Sequence, residues 1–233
     1  MNLKKLWTLL LTLAMVFSLA ACAGGDKDDS SKKDDEQTEE TAEQESPAAK
    51  LDYTVLVDEY EAFLSNPSLK GFSTLAGGTL VGDEMQEYLA FSLQTMGMTE
   101  DDFIEATSDS LTNVKVVDSS AEALSADEIA EYQDQLADVV AEYQSMISEI
   151  ESSTEEDWAE FAEELGVTVD EAKEIGADLV DTLTAMVEAL DGVEIEEAQR
   201  VTINIEQDGE ATEQEFYFFT SGGKWFSDGV FSM

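Results

Sequence analysis

This sequence contains no histidine and only one cysteine, Cys22. Without histidine, the chain lacks Ser-His-Asp and Cys-His nucleophile pairs, imidazole metal ligands and the side chain that most often serves as an acid or base at neutral pH. With a single cysteine, it forms no intramolecular disulfide. Since no catalytic or metal-binding motif is present either, we predict a protein that is not an enzyme and holds no metal and no cofactor.

Basic residues are scarce, because 11 lysines and arginines stand against 54 aspartates and glutamates, a formal charge of −43 at pH 7. This balance excludes nucleic acid as a partner, since a phosphate backbone selects basic surfaces, and it disfavours docking on anionic lipid headgroups. Two interpretations stay open: a solvated acidic shell whose self-repulsion keeps molecules apart, and a surface that binds cations. We favour the first, in which cations bind non-specifically.

The first residues follow the pattern of a secretory leader. Lys4 and Lys5 precede an apolar run over residues 6–21, and these 16 residues are short against the ~20 needed to span a bilayer. The end of the run resembles a bacterial lipobox, where a leader is removed and the next cysteine is acylated: Leu19, Ala20, Ala21 and Cys22. The resemblance implies that residues 1–21 are a signal peptide and that Cys22 carries palmitate. The protein would then be a lipoprotein anchored at the extracytoplasmic face of the cell membrane.

Residues 22–50 differ from the rest in composition. After the cysteine, they contain no aromatic residue and no aliphatic residue larger than alanine. Such a segment buries too little apolar surface to offset the loss of chain entropy on folding. We therefore predict a disordered acidic linker, followed by a single α+β domain over residues 51–233.

Helical spacing of apolar residues dominates the first part of this domain. The pattern predicts a helix that ends at Asn66-Pro67. Residues 69–82 are apolar but punctuated by glycines, and they predict a loop with a buried middle. Asp83 is then expected to cap a second helix, and Thr99 a short third one.

The longest helical pattern begins at Ser125 and Glu128, which form a capping box. Its apolar residues follow a 3-4 spacing over three heptads, at positions 129, 132, 136, 139, 143, 146 and 150. This spacing is typical of a coiled-coil seam or of a long core helix, and we favour the core helix because three heptads are marginal for a coiled coil. Thr154, and a second capping box at Thr168 and Glu171, predict an αα-hairpin after it.

The C-terminal part changes to strand periodicity. Val201, Ile203 and Ile205 alternate with polar residues, and Asp208-Gly209 is a hairpin signal. With the aromatic run at 216–219 and the turn at Gly222-Gly223, the pattern predicts an antiparallel meander of three strands, to which the stretch at 113–124 adds an earlier strand. Three aromatic residues are expected in the sheet core or around a pocket: Phe216, Phe218 and Trp225.

This order of elements resembles the NTF2-like and cystatin-like α+β domain, which follows a lipobox and an acidic linker in uncharacterised lipoproteins of Gram-positive bacteria. The matching parts are residues 83–124, 125–135 and 193–229, and Gly223-Lys224-Trp225 resembles the Gly-Lys-Trp that opens the final strand of such domains. Residues 137–191 depart from the pattern as a helical elaboration. The resemblance implies a pocket between sheet and helices, and it implies no catalytic residue.

Three functions are consistent with these features. The favoured one is a non-catalytic binding or interaction module outside the cell, whose partners are the lipid bilayer, through Cys22, and an extracellular ligand or protein. The second is a glycosidase-like hydrolase, which needs two carboxylates ~5 or ~6.5–9.5 Å apart, one with a raised pKa. The third is the solute-binding component of a transporter, which needs a cleft between two lobes.

Overall fold

A computed structural model describes residues 52–231 of the chain. Cys22, the lipobox residues and the predicted linker lie outside the described residues. The described part contains six α-helices and one four-stranded antiparallel sheet, so the predicted α+β class is confirmed. The elements are α1 Thr54–Ser65, α2 Leu69–Thr95, α3 Glu100–Ser110, β1 Val114–Ala123, α4 Ala126–Glu151, α5 Glu155–Leu165, α6 Val169–Leu190, β2 Glu197–Gln207, β3 Glu210–Ser221, β4 Lys224–Ser227 and a final 3₁₀ turn, Asp228–Phe231.

The strands lie in the order β1-β2-β3-β4, each antiparallel to its neighbour. Asp208 and Gly209 join β2 to β3, Gly222 and Gly223 join β3 to β4, and all four have positive φ. Positive φ at both turn residues is the type I′ geometry that matches the twist of a hairpin. The predicted C-terminal meander of three strands is confirmed, and β1 extends it at the β2 side. Among residues 52–231, no helix is both long and apolar enough to cross a bilayer.

Each face of the sheet packs against its own set of helices. On one face, which we call the α1 face, β2, β3 and β4 contact α1 and the first half of α2 through a buried cluster. On the opposite face, Phe219 and Phe226 belong to a larger cluster that includes residues of α2, α4 and α6. Phe218 and Phe219 are neighbours in β3 and are both buried, one on each face. The aromatic run therefore forms a central strand, as its sequence predicts.

Four helices begin at complete capping boxes, which pair Thr99 with Asp102, Ser125 with Glu128, Thr154 with Asp157 and Thr168 with Glu171. In each box the carboxylate accepts the N–H of the cap residue at 2.8 Å. Hydrogen bonds lower the pKa of these carboxyls, chiefly from the hydroxyl for the two aspartates and from the N–H for the two glutamates. Because folding lowers these pKa values, the boxes stabilise the fold at neutral pH. This stabilisation is lost as the pH falls through the lowered pKa values of the four carboxyls.

The heptad-patterned helix α4 packs inside the folded chain. Its buried residues belong to the larger core cluster that α6 also enters: Leu136, Val140, Tyr143, Met146 and Ile150. The interpretation of α4 as a core helix is therefore confirmed. Ala137, where the helical elaboration was expected to begin, lies in the middle of α4, so the elaboration continues this helix without a break.

Helices α5 and α6 form the predicted αα-hairpin. Gly166 ends α5 in the left-handed conformation, with φ 71° and ψ 28°. The Trp158 ring of α5 lies against Gly176 of α6, where an added Cβ would come within 2.2 Å of the ring. Phe161 and Ala172 belong to a small cluster of their own. The hairpin therefore has a satellite core beside the main one.

The segment 69–82 is helical, so its prediction as a loop is wrong. Ser68 is the N-cap of α2, and its Oγ accepts the Gly71 N–H at 3.0 Å. Asp83, expected to begin a helix, lies well inside α2. The expected buried middle is present at Leu75, Gly77, Gly78, Leu80, Val81 and Gly82. The glycines allow a kink in one continuous element instead of a loop between two.

Candidate functional site

Helix α2 is kinked at Gly78, where the backbone adopts φ 59° and ψ −144°. This conformation is open to glycine and strained for other residues. A kink removes regular hydrogen bonds from the carbonyls that precede it, and Ser227 of β4 supplies a replacement. The Ser227 hydroxyl donates to the Leu75 carbonyl at 2.6 Å and lies 3.0 Å from the Ala76 carbonyl. Strand β4 is therefore attached directly to the kink.

Backbone contacts tighten this attachment on the other side of the kink. The Trp225 N–H donates to Thr79 Oγ1 at 3.2 Å. An added Cβ on Gly78 would lie 2.0 Å from the Trp225 carbonyl oxygen and 2.8 Å from the Phe226 Cα. Glycine is thus required at this position both by conformation and by space. The kink and β4 therefore pack closely against each other and form one wall.

A groove of about 650 Å³ lies beside this wall, between the end of α1, both halves of α2 and the turn that leads into β4. Its volume falls within the range of ~300–1,000 Å³ that is usual for small-molecule sites. Neutral hydrogen-bonding groups come from Asn66, Thr74 and Thr79, and apolar surface comes from Phe63 and Leu80. The lining can therefore make polar and apolar contacts with one ligand.

Five ionisable side chains also line the groove: Lys70, Lys224, Glu59, Asp83 and Glu84. Among the ion pairs formed within residues 52–231, none joins two of these five within 4.0 Å. Charges of both signs thus face one concave space without neutralising each other. A bound ligand, or water, must solvate them.

The other basic residues of the described chain are all paired. Lys115 lies 2.9 Å from Glu206, Lys173 lies 2.6 Å from Glu155, and Arg200 lies 3.5 Å from Glu128. Residues 52–231 hold 44 acidic side chains but only five basic ones. Carboxylates are therefore abundant, yet the two lysines left without an ion pair both line the groove.

The three aromatic residues predicted for a core or a pocket lie in the α1 face of the sheet and do not line the groove. Phe218 and Trp225 are 1% and 3% exposed, and their rings stack with centroids 5.7 Å apart. Phe216 is half-buried and meets the Tyr60 ring edge-on at 5.3 Å. Their role is to join the sheet to α1.

A second polar cluster surrounds Arg200, the sole arginine of the chain. Its guanidinium lies 5.7 Å from the centre of the Tyr217 ring and 3.9 Å from Glu215. Burial, followed by a hydrogen bond with Tyr217, raises the pKa of Tyr132. Since Arg200 contacts side chains of this same chain on several sides, including Glu128, the cluster ties the start of α4 to the sheet and offers no open cation to a ligand.

One carboxyl with a raised pKa lies in this second cluster. Burial raises the pKa of Asp228, whose Oδ1 accepts the Tyr217 N–H at 3.0 Å, and the nearby Glu215 carboxylate contributes to the rise. Asp228 is not among the residues that line the groove. Within residues 52–231, no group of three or more carboxylate or thiol side chains is placed to hold a metal ion.

The groove residues were not predicted from the sequence. Glu59, Lys70, Asp83 and Glu84 come from two helices, and Lys224 lies some 140 positions further on. The one local signal is Ser68 after Pro67, a helix-start pattern followed by apolar residues at 69, 72 and 75. That signal predicts where α2 begins, but not which of the many charged residues face each other.

No protein-family model matches this chain, and neither does any curated protein or any solved structure. The groove geometry is therefore the basis for a functional conclusion.

Proposed function

We propose that this protein is a lipoprotein of the outer face of the cell membrane, anchored through acylated Cys22, and that its folded part is a non-catalytic binding module. The groove between α1, α2 and the β4 turn is its binding site. The observation that supports this role is the set of five charged side chains that face the groove without ion pairs among them. Because these charges are not paired with each other, they are free to form charge-assisted hydrogen bonds with a ligand.

The resemblance to NTF2-like lipoprotein domains agrees with this proposal in its order of elements. Helices come first, followed by a strand, more helices and a terminal meander. The Gly223-Lys224-Trp225 sequence opens β4. Lys224 lines the groove at this turn, while Trp225 enters the core. In our proposal, Lys224 supplies a charge that faces the ligand, and the next residue, Trp225, holds β4 in the core.

The two alternatives have less support. A carboxylate-dependent hydrolase requires an acid of raised pKa in the cleft, but Asp228 lies outside the groove and bonds to the backbone of β3. A solute-binding component of a transporter requires two lobes, but the described residues contain one sheet, with helices on both faces. The hydrolase is an outcome that the experiments below can detect.

The anchor is tested by Cys22→Ser in the full chain. We expect the wild-type protein to fractionate with membranes and to incorporate labelled palmitate, and the variant to lose the label, because the acylated thiol is absent. Metabolic labelling followed by fractionation measures both. Ala23→Ser is the matched control, since it changes the next residue and leaves the lipobox intact. Label retained by Cys22→Ser would contradict the proposal.

The binding site is tested by filling the groove. Ala62 is an exposed groove residue of α1, so Ala62→Trp adds a large ring to the groove without crowding the core. We expect at least one of four compound classes, namely amino acids, short peptides, neutral oligosaccharides and phosphates, to raise the melting temperature of the detergent-extracted wild-type chain. Ala62→Trp should lose this rise, whereas Ala130→Trp, at an exposed position of α4 away from the groove, should keep it.

Two results would contradict a binding role for the groove. In one, compounds stabilise Ala62→Trp as strongly as wild type, which places their site elsewhere. In the other, an oligosaccharide added as a probe is cleaved during the incubation, which product analysis would detect. The second result would favour the hydrolase.

A further inference from the structure

Charges of both signs line the groove, and they come from three elements. The two ammonium groups come from the first turn of α2, at Lys70, and from the first residue of β4, at Lys224. Two of the three carboxylates, Asp83 and Glu84, lie beyond the kink in the second half of α2, and the third, Glu59, lies on α1. No ion pair within 4.0 Å connects the two sets in the described chain. The groove therefore offers both positive and negative groups that are not paired with each other.

This arrangement discriminates between ligand classes. A polyanion would bind the lysines but would meet three carboxylates in the same space, and a polycation would meet two ammonium groups. A neutral ligand would desolvate charged groups without pairing them, which is costly. A ligand with one anionic end and one cationic end can pair with both sets at once through charge-assisted hydrogen bonds, which are the stronger kind.

The remaining lining extends this argument from a dipolar ligand to a peptide. The same groove is lined by Asn66 and Thr74, whose amide and hydroxyl can bond amide groups, and by Phe63 and Leu80, which supply apolar surface. A peptide with free termini combines a carboxylate, an ammonium group, amide groups and small side chains. The volume of about 650 Å³ admits a short peptide and not a folded chain.

We propose that the groove binds short zwitterionic peptides, an inference that rests on the binding function proposed above. Lys70 and Lys224 take the terminal carboxylate, and Asp83, Glu84 and Glu59 take the terminal ammonium group. Within residues 52–231, the other three basic side chains, those of Lys115, Lys173 and Arg200, are paired with carboxylates. Recognition requires both termini, so blocking either one removes one of the two charge pairings.

The test is calorimetric titration of the detergent-extracted full chain with trialanine and with its C-terminal amide, its N-acetyl form and its doubly blocked form. We expect trialanine to bind and each single block to weaken binding at least about tenfold, the effect of losing one charge-assisted hydrogen bond. The variant Lys70→Gln/Lys224→Gln should bind trialanine about as weakly as wild type binds the amide. It should also no longer distinguish the two peptides. Lys115→Gln, whose lysine pairs with Glu206 in the sheet, is the matched control and should behave as wild type.

Several results would overturn the proposal. One is equal binding of trialanine and its blocked forms, and another is tight binding of inorganic phosphate that the double lysine variant abolishes, which would indicate a simple anion site. If no trialanine form binds, the peptide proposal fails. The thermal-shift comparison of wild type with Ala62→Trp then separates the two conclusions. If a neutral oligosaccharide or another compound class raises the melting temperature of wild type but not that of Ala62→Trp, the binding function stands. If no class does so, both proposals fail.

Discussion

Gly78→Ala is expected to destabilise the folded chain by about 4 kcal/mol, from backbone strain of ~1–3 kcal/mol and overpacking of similar size. The new Cβ would lie 2.0 Å from the Trp225 carbonyl oxygen. That atom belongs to the backbone, so no side-chain rotation relieves the overlap, and β4 must move away from α2. Such a loss is a large share of the ~5–15 kcal/mol that stabilises a typical domain. Urea unfolding, followed by circular dichroism, measures it through the transition midpoint.

Gly82→Ala provides a matched control in the same helix. Gly82 has no positive φ, and the nearest atoms to an added Cβ lie at 3.5 Å, an ordinary contact. Alanine favours the helix over glycine by up to ~1 kcal/mol, so this variant should be as stable as wild type or slightly more so. Equal midpoints for the two variants would show that β4 does not lie on the kink as described.

Trp225→Ala should cost about 3–5 kcal/mol of stability, the usual range for truncating a large buried aromatic side chain. The side chain is only 3% exposed, and it stacks on Phe218 with an angle of 28° between the ring planes. Its neighbours in the α1 face include Leu56 and Leu75. Removing the ring leaves a cavity between the sheet and two helices.

Urea midpoints test this prediction as well, with Trp225→Phe as the conservative control. Phenylalanine keeps an aromatic ring against Phe218, so it should retain most of the stability that alanine loses. An unchanged midpoint for Trp225→Ala would mean that the ring faces solvent. In that case the α1 face would be an open binding surface, and the aromatic residues would replace the groove as the leading candidate site.

Local signals predict most of the elements correctly. Capping boxes such as Ser125 with Glu128 act over four residues, and the turns at Asp208-Gly209 and Gly222-Gly223 need only a positive φ at two positions. The alternation of Val201 with Ile203 follows from the period of a strand with one buried face. Each of these features depends on residues that are adjacent in sequence, so the sequence alone is sufficient.

The error over residues 69–82 has a tertiary cause. Glycines at 71, 77, 78 and 82 lower the intrinsic helix propensity of this segment, and locally they favour a loop. The fold overrides that preference because the Ser227 hydroxyl bonds the Leu75 and Ala76 carbonyls across about 150 positions. The same long-range contact brings Lys224 to the groove. Neither the groove nor the helix could therefore be predicted from local sequence signals.

The pairing of β1 with β2 spans the whole of α4, α5 and α6. Ala123 opposes Gln199 and Val114 opposes Gln207, so partners lie about 76–93 positions apart. Closing a loop of that length in an unstructured chain costs conformational entropy, and contacts of such sequence separation slow folding. By contrast, the β2–β3 and β3–β4 hairpins close over two residues each.

The Gln133 side chain shows how the helices shorten that search. From α4, its amide donates to the Val193 carbonyl and accepts the Ile195 N–H, both at 2.8 Å. Docking α4 beside the end of α6 therefore holds the start of β2 close to the end of β1, where the Leu124 N–H donates to the Ala198 carbonyl at 2.9 Å. Once docked, helices α4 to α6 connect β1 to β2 as a folded segment instead of a flexible loop. We therefore expect helix docking to precede strand pairing, because it shortens the effective loop that β1 must close.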